Sequence, residues 1–387
     1  MSHGFFFLRS PTFSLENLLA LNSRLLNEPE KFIDIVLNSC DNGYFEKALY
    51  FASPEFWKLL KKIKDNSATE KSKRKAAVTL YKYLIRSSTR CVPFGFFSGI
   101  ALGTVSDDPT LIDLSDRDLH KAVIRFDSDY LQMILKELVE DNGLKSKLRY
   151  FPNNTIYRFN NSFRYIEFSY ANFERDYKIS SIDYNPSIEA LIKNLDKKGV
   201  TFEEFLELTD DDPEYRKMFF DLIDNQIIVS ILEPNLTGQN YFQRMLSTLQ
   251  SSIADHPMVN KLEVAQHLLE QINSKALTIT DFDNAISDLF PNITYPHKLQ
   301  ADLFLTTSTC NINRGTFNRM IDDITKLMSY FVSDRYDFEL EEIKNFIRDK
   351  YEGSEIPLLE LFDPDIGCRE DEQEFDTPLV EKFKTPS

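Results

Sequence analysis

The stretch RSSTRCVPFGFFSGIALGTV, residues 86–105, turns a helix into a strand, and the rest of the chain is read outward from it. Upstream, residues 68–88 carry apolar side chains at helical spacing among many lysines and arginines. Pro93 and Gly95 stop that helix, and FFSGIALGTV then reads as a strand. Arg86 and Arg90 are four apart, hence on one helical face, with Lys82 a turn earlier. Two guanidiniums at a helix end beside a Pro-Phe-Gly turn can grip a phosphate or a carboxylate bidentately. Ser87, Ser88 and Thr89 add hydroxyl donors. The plainer reading has both arginines pairing with nearby acids and fixing the helix end.

On the N-terminal side, FFFLR (5–9) reads as a short buried strand, and helices are expected over Ser14–Leu37 and 54–66. On the other side, AVIRFD (122–127) is a strand that leads into a helix over 128–141. KLRYFPN and TIYRFNNSFRYIEFSY are strands of alternating type, with hairpins expected at 153–154 and 160–161. Residues 186–234 differ in texture. PSIEALIKNLDKKG is a helix closed by Gly199, Thr201 caps a short helix, and DDPEYRKMFFDLIDN is a third helix opened by acids and Pro213. QIIVSIL follows as a strand. Helix, short helix, helix, strand is the order of a winged helix-turn-helix, with strands from 145–170 completing its sheet. Beyond it, 235–290 is mainly helical, and KLQADLFLTT (298–307) is a strand with Asp302 facing opposite to Leu303. Helices at 315–331 and 337–351 precede an acidic tail at 369–387.

The expected fold is α+β, a mixed helical and antiparallel-sheet domain with an inserted winged helix-turn-helix module for peptide recognition. The boundaries are 1–144, 145–236 and 237–387, the last part incomplete. A length of 387 residues allows two or three domains at about 100–200 residues each. Cys40, Cys91, Cys310 and Cys368 lie far apart without a CxxC pair, which fits a reducing compartment. The apolar run from Phe5 to Leu8 is too short for a signal peptide, and no window approaches the roughly 20 apolar residues of a membrane span. These features predict a soluble cytoplasmic protein.

The formal net charge is −16, yet Lys58–Arg90 holds 11 Lys or Arg against Asp65 and Glu70, a local +9, so the remainder carries −16 − 9 = −25. So basic a segment suits a polyanion seat, or else a solvated helical face. Trp57, Tyr81, Tyr83 and Phe94 offer stacking faces for single-stranded nucleic acid, or are core. The third helix of the winged module sets Arg216 and Lys217 against Asp211, Asp212, Glu214, Asp221 and Asp224, so a DNA major groove would repel it. There is no P-loop, GxGxxG, HExxH or GxSxG, and the five histidines lack metal-ligand spacing.

RSSTRCVPFGFFSG resembles the R-x-S-x-R-x-T-P-F-G-x-F-x-G run of lantibiotic dehydratases, the class I lanthipeptide dehydratases. FLRSP (7–11) looks like their N-terminal strand and arginine, QADLF (300–304) like a later strand with an acid, and PLLELFDPDIG (357–367) like a further family stretch. The resemblance implies a glutamylation domain that uses glutamyl-tRNA as co-substrate, with no other cofactor. That domain esterifies Ser and Thr side chains of a ribosomally made precursor peptide, and a separate elimination domain then leaves dehydroalanine or dehydrobutyrine. By that resemblance Arg86 and Arg90 match two tRNA-contacting and catalytic arginines, Arg9 matches the N-terminal arginine, and Asp302 the later acid. Lys71, Lys73, Arg74, Lys75 and Lys82 then become a seat for the tRNA acceptor end. The winged module falls where the family carries its leader-peptide recognition element. Val92 stands where the family usually has Thr, which puts the positioning of the aminoacyl ester, or the amino acid transferred, in question.

A peptide can also add as a strand beside the third helix and QIIVSIL, with Tyr215, Phe219, Leu222, Ile227 and Val229 as side-chain pockets, or these residues are the module's own core. Three functions stay open at this stage: aminoacyl transfer, a leader-binding subunit without chemistry, and a peptide aminoacyl-tRNA ligase. The expected partners are a precursor peptide, aminoacyl-tRNA, and the remaining dehydratase domains or a cyclase, with a homodimer open. Because the family runs longer, the chain is expected to be catalytically incomplete by itself.

Overall fold

In the computed structural model, which describes residues 4–40, 43–171, 173–195, 198–209, 213–235, 237–331 and 334–363, strand β1 (Phe5–Pro11) precedes a run of helices. These are α1 (Leu15–Asn27), α2 (Phe32–Ser39), α3 (Gly43–Ala52), α4 (Pro54–Lys64) and α5 (Glu70–Thr89). Then come β2 (Ser98–Ser106), β3 (Leu111–Leu114), β4 (Lys121–Phe126), α6 (Ser128–Val139) and α7 (Asn142–Lys145). The middle of the chain holds β5 (Tyr150–Pro152), β6 (Tyr157–Phe159), β7 (Ser162–Ala171), β8 (Glu174–Asp183), α8 (Pro186–Leu195), α9 (Phe202–Leu208), α10 (Pro213–Asp224) and β9 (Ile228–Ser230). Last are α11 (Tyr241–Ile253), α12 (Pro257–Asn273), α13 (Ile279–Leu289), β10 (Leu299–Phe304), β11 (Thr307–Asn313), α14 (Arg314–Met328), α15 (Asp334–Tyr351) and α16 (Leu358–Leu361). The acidic tail at 369–387, the end of the 357–367 stretch, and Asp211 and Asp212 lie outside the described residues.

Caps set many of these boundaries. Ser14, Ser53, Thr69, Asp127 and Thr278 each accept a backbone N–H of the first helical turn that follows. The single helix expected over Ser14–Leu37 is two, because Pro29 forces Glu28 out of helical geometry to φ −133° and ψ 60°.

The chain forms two compact units, residues 1–148, 172–174 and 232–322, and residues 149–171, 175–231 and 323–387. In the first, β1 runs antiparallel to one edge of β2, while β10 and then β11 lie parallel along the other. β4 pairs antiparallel with β10, and β3 with β11. Alternation buries Ala101, Val105, Leu299, Ala301, Leu303, Ile124 and Phe126 on one face. There Phe126 meets Phe242 of α11 at 4.7 Å between ring centres, and Phe282 of α13 at 6.2 Å. Gly103 belongs to this face because the Phe6 ring lies across it, and a Cβ there would also fall 2.8 Å from Cys310 Sγ.

The second unit has a three-stranded sheet, β6–β7–β8, and a β5–β9 pair, with α8, α9 and α10 contributing to its core. Tyr150, Phe205 and Phe219 are fully buried, and a capping box of Thr201 and Glu204 starts α9. The hairpin expected at 153–154 is not formed, since β5 pairs with β9. Asn153 instead donates to the carbonyls of Ile166 and Gln226, at 3.0 and 2.9 Å, which ties the bend into the core. The second expected hairpin is present, with Asn160 in the left-handed region at φ 50°. Asp363, fully buried, accepts from Arg164 Nη1 at 2.8 Å on each oxygen and from the Tyr157 hydroxyl, which pins the α16 segment to β6 and β7.

Candidate functional site

The end of α5 and the turn after it are built around an aromatic stack. Phe56 lies on Tyr83 (5.8 Å, 24°), Tyr83 on Phe97 (5.5 Å, 22°), and Phe97 on Phe94 (6.1 Å, 15°). The Arg86 guanidinium completes it, 4.1 Å from the centre of the Phe94 ring. Gly95 at φ +52° supplies the reversal that returns Phe96 and Phe97 to the core. Thr12 and Tyr44 each donate a hydroxyl to the Phe96 carbonyl at 2.9 Å, and the Phe13 N–H bonds to the Ser87 carbonyl at 3.1 Å, so the turn is fixed from two sides. Burial raises the Tyr83 hydroxyl above its ordinary pKa, against the pull of the Arg86 charge.

Arg90 departs from the expected geometry. It is the C-cap of α5, extended at φ −106° and ψ 121°, so the two arginines do not share a helical face. Among the described residues neither forms an ion pair. Arg86 Nε is buried without a hydrogen-bond partner, its charge facing the Phe94 ring. The hydroxyls of Ser87 and Thr89 are spent on the carbonyls of Leu84 and Ile85, at 2.9 and 2.7 Å. Val92 is exposed, and its carbonyl accepts from the Ser98 hydroxyl.

The basic segment divides in two. On α4, Lys58 lies 4.0 Å from Asp283, Lys64 pairs with Glu46, and Lys61 bonds to Thr280 at 2.7 Å over the Trp57 ring. On α5, Lys73 pairs with Glu70 at 2.9 Å, whereas Lys71, Arg74, Lys75 and Lys82 are exposed and make no ion pair among the described residues. The expected stacking faces are engaged internally. Trp57 is buried edge-on to Tyr50 at 5.1 Å, and Tyr81 bonds to Asn22 at 2.8 Å.

Arg9 and Asp302 share the other face of the first unit's sheet. Arg9 on β1 is opposite Ile100, which is opposite Phe304 of β10, and Asp302 is two residues back along that strand. Asp302 pairs with Arg125 of β4, whose second nitrogen reaches Gln300 at 3.3 Å, and Gln300 donates to Asp127 at 2.7 Å. Asp127 is buried and also caps α6. Sequence reading missed Arg125, Gln300 and Asp127 as part of this cluster. The available signal was an arginine at an outward position of the strand AVIRFD, followed by an acid where the helix starts.

In the second unit a cavity of about 890 Å³ is lined by Arg149, Leu191, Leu208, Tyr215 and Met218 among others. Of the five expected peptide contacts, Tyr215 lines this cavity, and Val229 is half-buried on β9 opposite Phe151. Phe219, Leu222 and Ile227 are a correction: all three are buried in the unit's core, where Phe219 packs on Tyr150, Phe202 and Phe205, so they support the surface and do not line it. Among the described residues no helix is long and apolar enough to cross a membrane.

Comparison with known proteins finds the family described as "Lantibiotic dehydratase, N terminus" over residues 41–382. The epidermin biosynthesis protein EpiB of Staphylococcus epidermidis is 27% identical over 378 residues, covering 94% of this chain and 36% of EpiB. Among solved structures, the tRNA-dependent lantibiotic dehydratase MibB from Microbispora sp. 107891 has a similar fold, with TM-score 0.68 and 17% identity, covering 94% of this chain and 35% of MibB. The glutamylation domain of TbtB from thiomuracin biosynthesis is similar at TM-score 0.52 and 14% identity, covering 84% of this chain and 41% of that one. The chain therefore spans about a third of the length of EpiB and MibB.

Proposed function

Because the chain belongs to the lantibiotic dehydratase N-terminal family, we propose that it carries the tRNA-facing part of a glutamylation reaction on a precursor peptide. The observation that carries this reading is Arg86, clamped on Phe94 at the end of a half-buried aromatic stack on a helix with an exposed row of cations. Arg86 and Arg90 neutralise the terminal phosphates of glutamyl-tRNA, and Lys71, Arg74, Lys75 and Lys82 extend the seat along its acceptor end. Lys73 contributes less because Glu70 offsets it.

In the transfer step, a Ser or Thr hydroxyl of the peptide attacks the glutamyl ester carbonyl. A new carbon–oxygen bond forms, the bond to the tRNA ribose breaks, and the hydroxyl proton ends on the ribose oxygen. Such an exchange needs placement and charge stabilisation more than bond-making help. Arg9 serves the developing oxyanion and Asp302 the hydroxyl proton in this scheme. Loss of glutamate to form the dehydro residue belongs to the remaining part of the dehydratase. Residues 145–236 act as a winged-helix module for the leader, with Tyr215 and Val229 its candidate contacts, between flanking parts at 1–144 and 237–387.

Binding of glutamyl-tRNA across a salt series tests the reading. Affinity should fall steeply with salt, and Arg86→Ala should weaken binding and flatten the slope by roughly 0.7–0.9. Salt-independent retention, or an unchanged slope in the variant, would refute it. A second reading, a leader-binding subunit without transfer, is favoured by the 890 Å³ cavity of the second unit. It predicts leader affinity indifferent to salt and no tRNA binding.

A further inference from the structure

Antiparallel strands with one solvated face alternate apolar and polar residues, yet β1 and β2 are apolar on both. Phe5 is 49% exposed, Phe7 64%, Leu102 63%, Val123 50% and Phe304 44%. The pairings Phe7–Leu102, Arg9–Ile100 and Ile100–Phe304 join the β1, β2 and β10 residues, and Val123 of β4 lies opposite Asp302. Phe5, Phe7, Ile100, Leu102, Phe304 and Leu305 border a depression of about 540 Å³. Arg9 and the Asp302–Arg125 pair rim the patch. At the usual ~150–250 Å² per large side chain, it exposes roughly 500 Å² of apolar surface, large enough to mark an interaction site.

We propose that this open face is the seat of the part of a dehydratase that the present chain does not span. In EpiB and MibB the matched region is 36% and 35% of the polypeptide, so nearly two thirds of each lies beyond it. The area distinguishes that occupant from a second copy of this chain. A free-standing dimer needs about 800 Å² from each partner, more than this patch offers. A tethered or co-assembled remainder binds at high effective concentration and needs less. The inference rests on family membership and not on tRNA chemistry, so loss of tRNA binding would leave it standing.

The probe is the polypeptide that supplies the remainder of the dehydratase, co-expressed with this chain, or the intact protein where the two are one polypeptide. Leu102→Cys is labelled with a maleimide, and its peptide is read by mass spectrometry. The thiol should react freely in the 387-residue chain and at least about tenfold more slowly with the remainder present. Phe7→Ser with Leu102→Ser should weaken the association roughly a hundredfold at unchanged Tm. If that pair unfolds the chain, Phe7→Ala alone should still weaken it about tenfold. Equal labelling rates, or no association, would overturn the proposal. So would protection that grows with the concentration of this chain alone, which assigns the face to a second copy.

Discussion

Replacing Lys298 by Met should destabilise the first unit by about 3–5 kcal/mol, the usual cost of removing one member of a buried ion pair. Lys298 is buried at the start of β10, and its Nζ donates to Asp283 Oδ1 at 2.8 Å, the Asp283 carbonyl at 3.0 Å and Ser287 Oγ at 2.5 Å. Burial holds its pKa below the ordinary lysine value, against the opposing effect of Asp283. Without the ammonium, Asp283 keeps the Tyr50 hydroxyl at 3.2 Å and Lys58 at 4.0 Å. Hydrogen bonds to a charged group contribute about 1.5–3 kcal/mol each, so the loss of two such bonds already accounts for the stated cost. Urea unfolding followed by circular dichroism measures the total, and hydrogen exchange of the β10 amides localises it. Lys298→Met with Asp283→Leu removes both charges and should recover most of the stability. A single-variant cost below about 1 kcal/mol, or a double variant as unstable as the two singles summed, would refute this reasoning.

Phe94→Ala removes the ring under Arg86 and should weaken glutamyl-tRNA binding by about two- to thirtyfold, matching ~0.5–2 kcal/mol for a cation over an aromatic face; equal affinities in a filter-binding titration would contradict it. Glutamates at Lys71, Arg74 and Lys75 should lower tRNA affinity and its salt slope while the melting temperature holds, and an unaltered slope would leave that row a solvated face. Glu204 is held below its usual 4.5 by the Arg149 hydrogen bond first, then by the Thr201 N–H. A depressed carboxylate stabilises above its unfolded pKa and loses that contribution as pH falls through the lower folded value, so the Tm gap between the native chain and Glu204→Gln should be constant from neutral pH to about 5 and close below it. A gap that does not narrow at all as the pH falls below the usual 4.5 would contradict the assignment.

The end of α5 was legible because Pro93 and Gly95 break the backbone wherever they fall, and β2 because its apolar run is bounded by turn residues. The break at Pro29 was obscured by apolar spacing that continues across it. β8 was missed because ERDYKISSID is mostly exposed and polar, so no face of it declares a core. Periodicity identified the inward side of α10 but not what covers it, and so Phe219 and Leu222 read equally as pocket and as core. The partners of Asp302 and Asp363 lay beyond any local pattern: Arg125 is 177 positions from Asp302 and is brought to it by the pairing of β4 with β10, and Arg164 is 199 positions from Asp363.

The clamp on Asp363 sets a schedule for synthesis. Arg164 and Tyr157 emerge 199 and 206 positions before the carboxylate that receives them. At about 5–20 residues per second, a ribosome needs roughly 10–40 s to make that stretch. The β6–β7 hairpin is therefore finished only once Asp363 has been made. A nascent chain halted before residue 363 would hold the hairpin's arginine and tyrosine but not their anion, which makes the second unit's maturation a report on whether translation has passed Asp363.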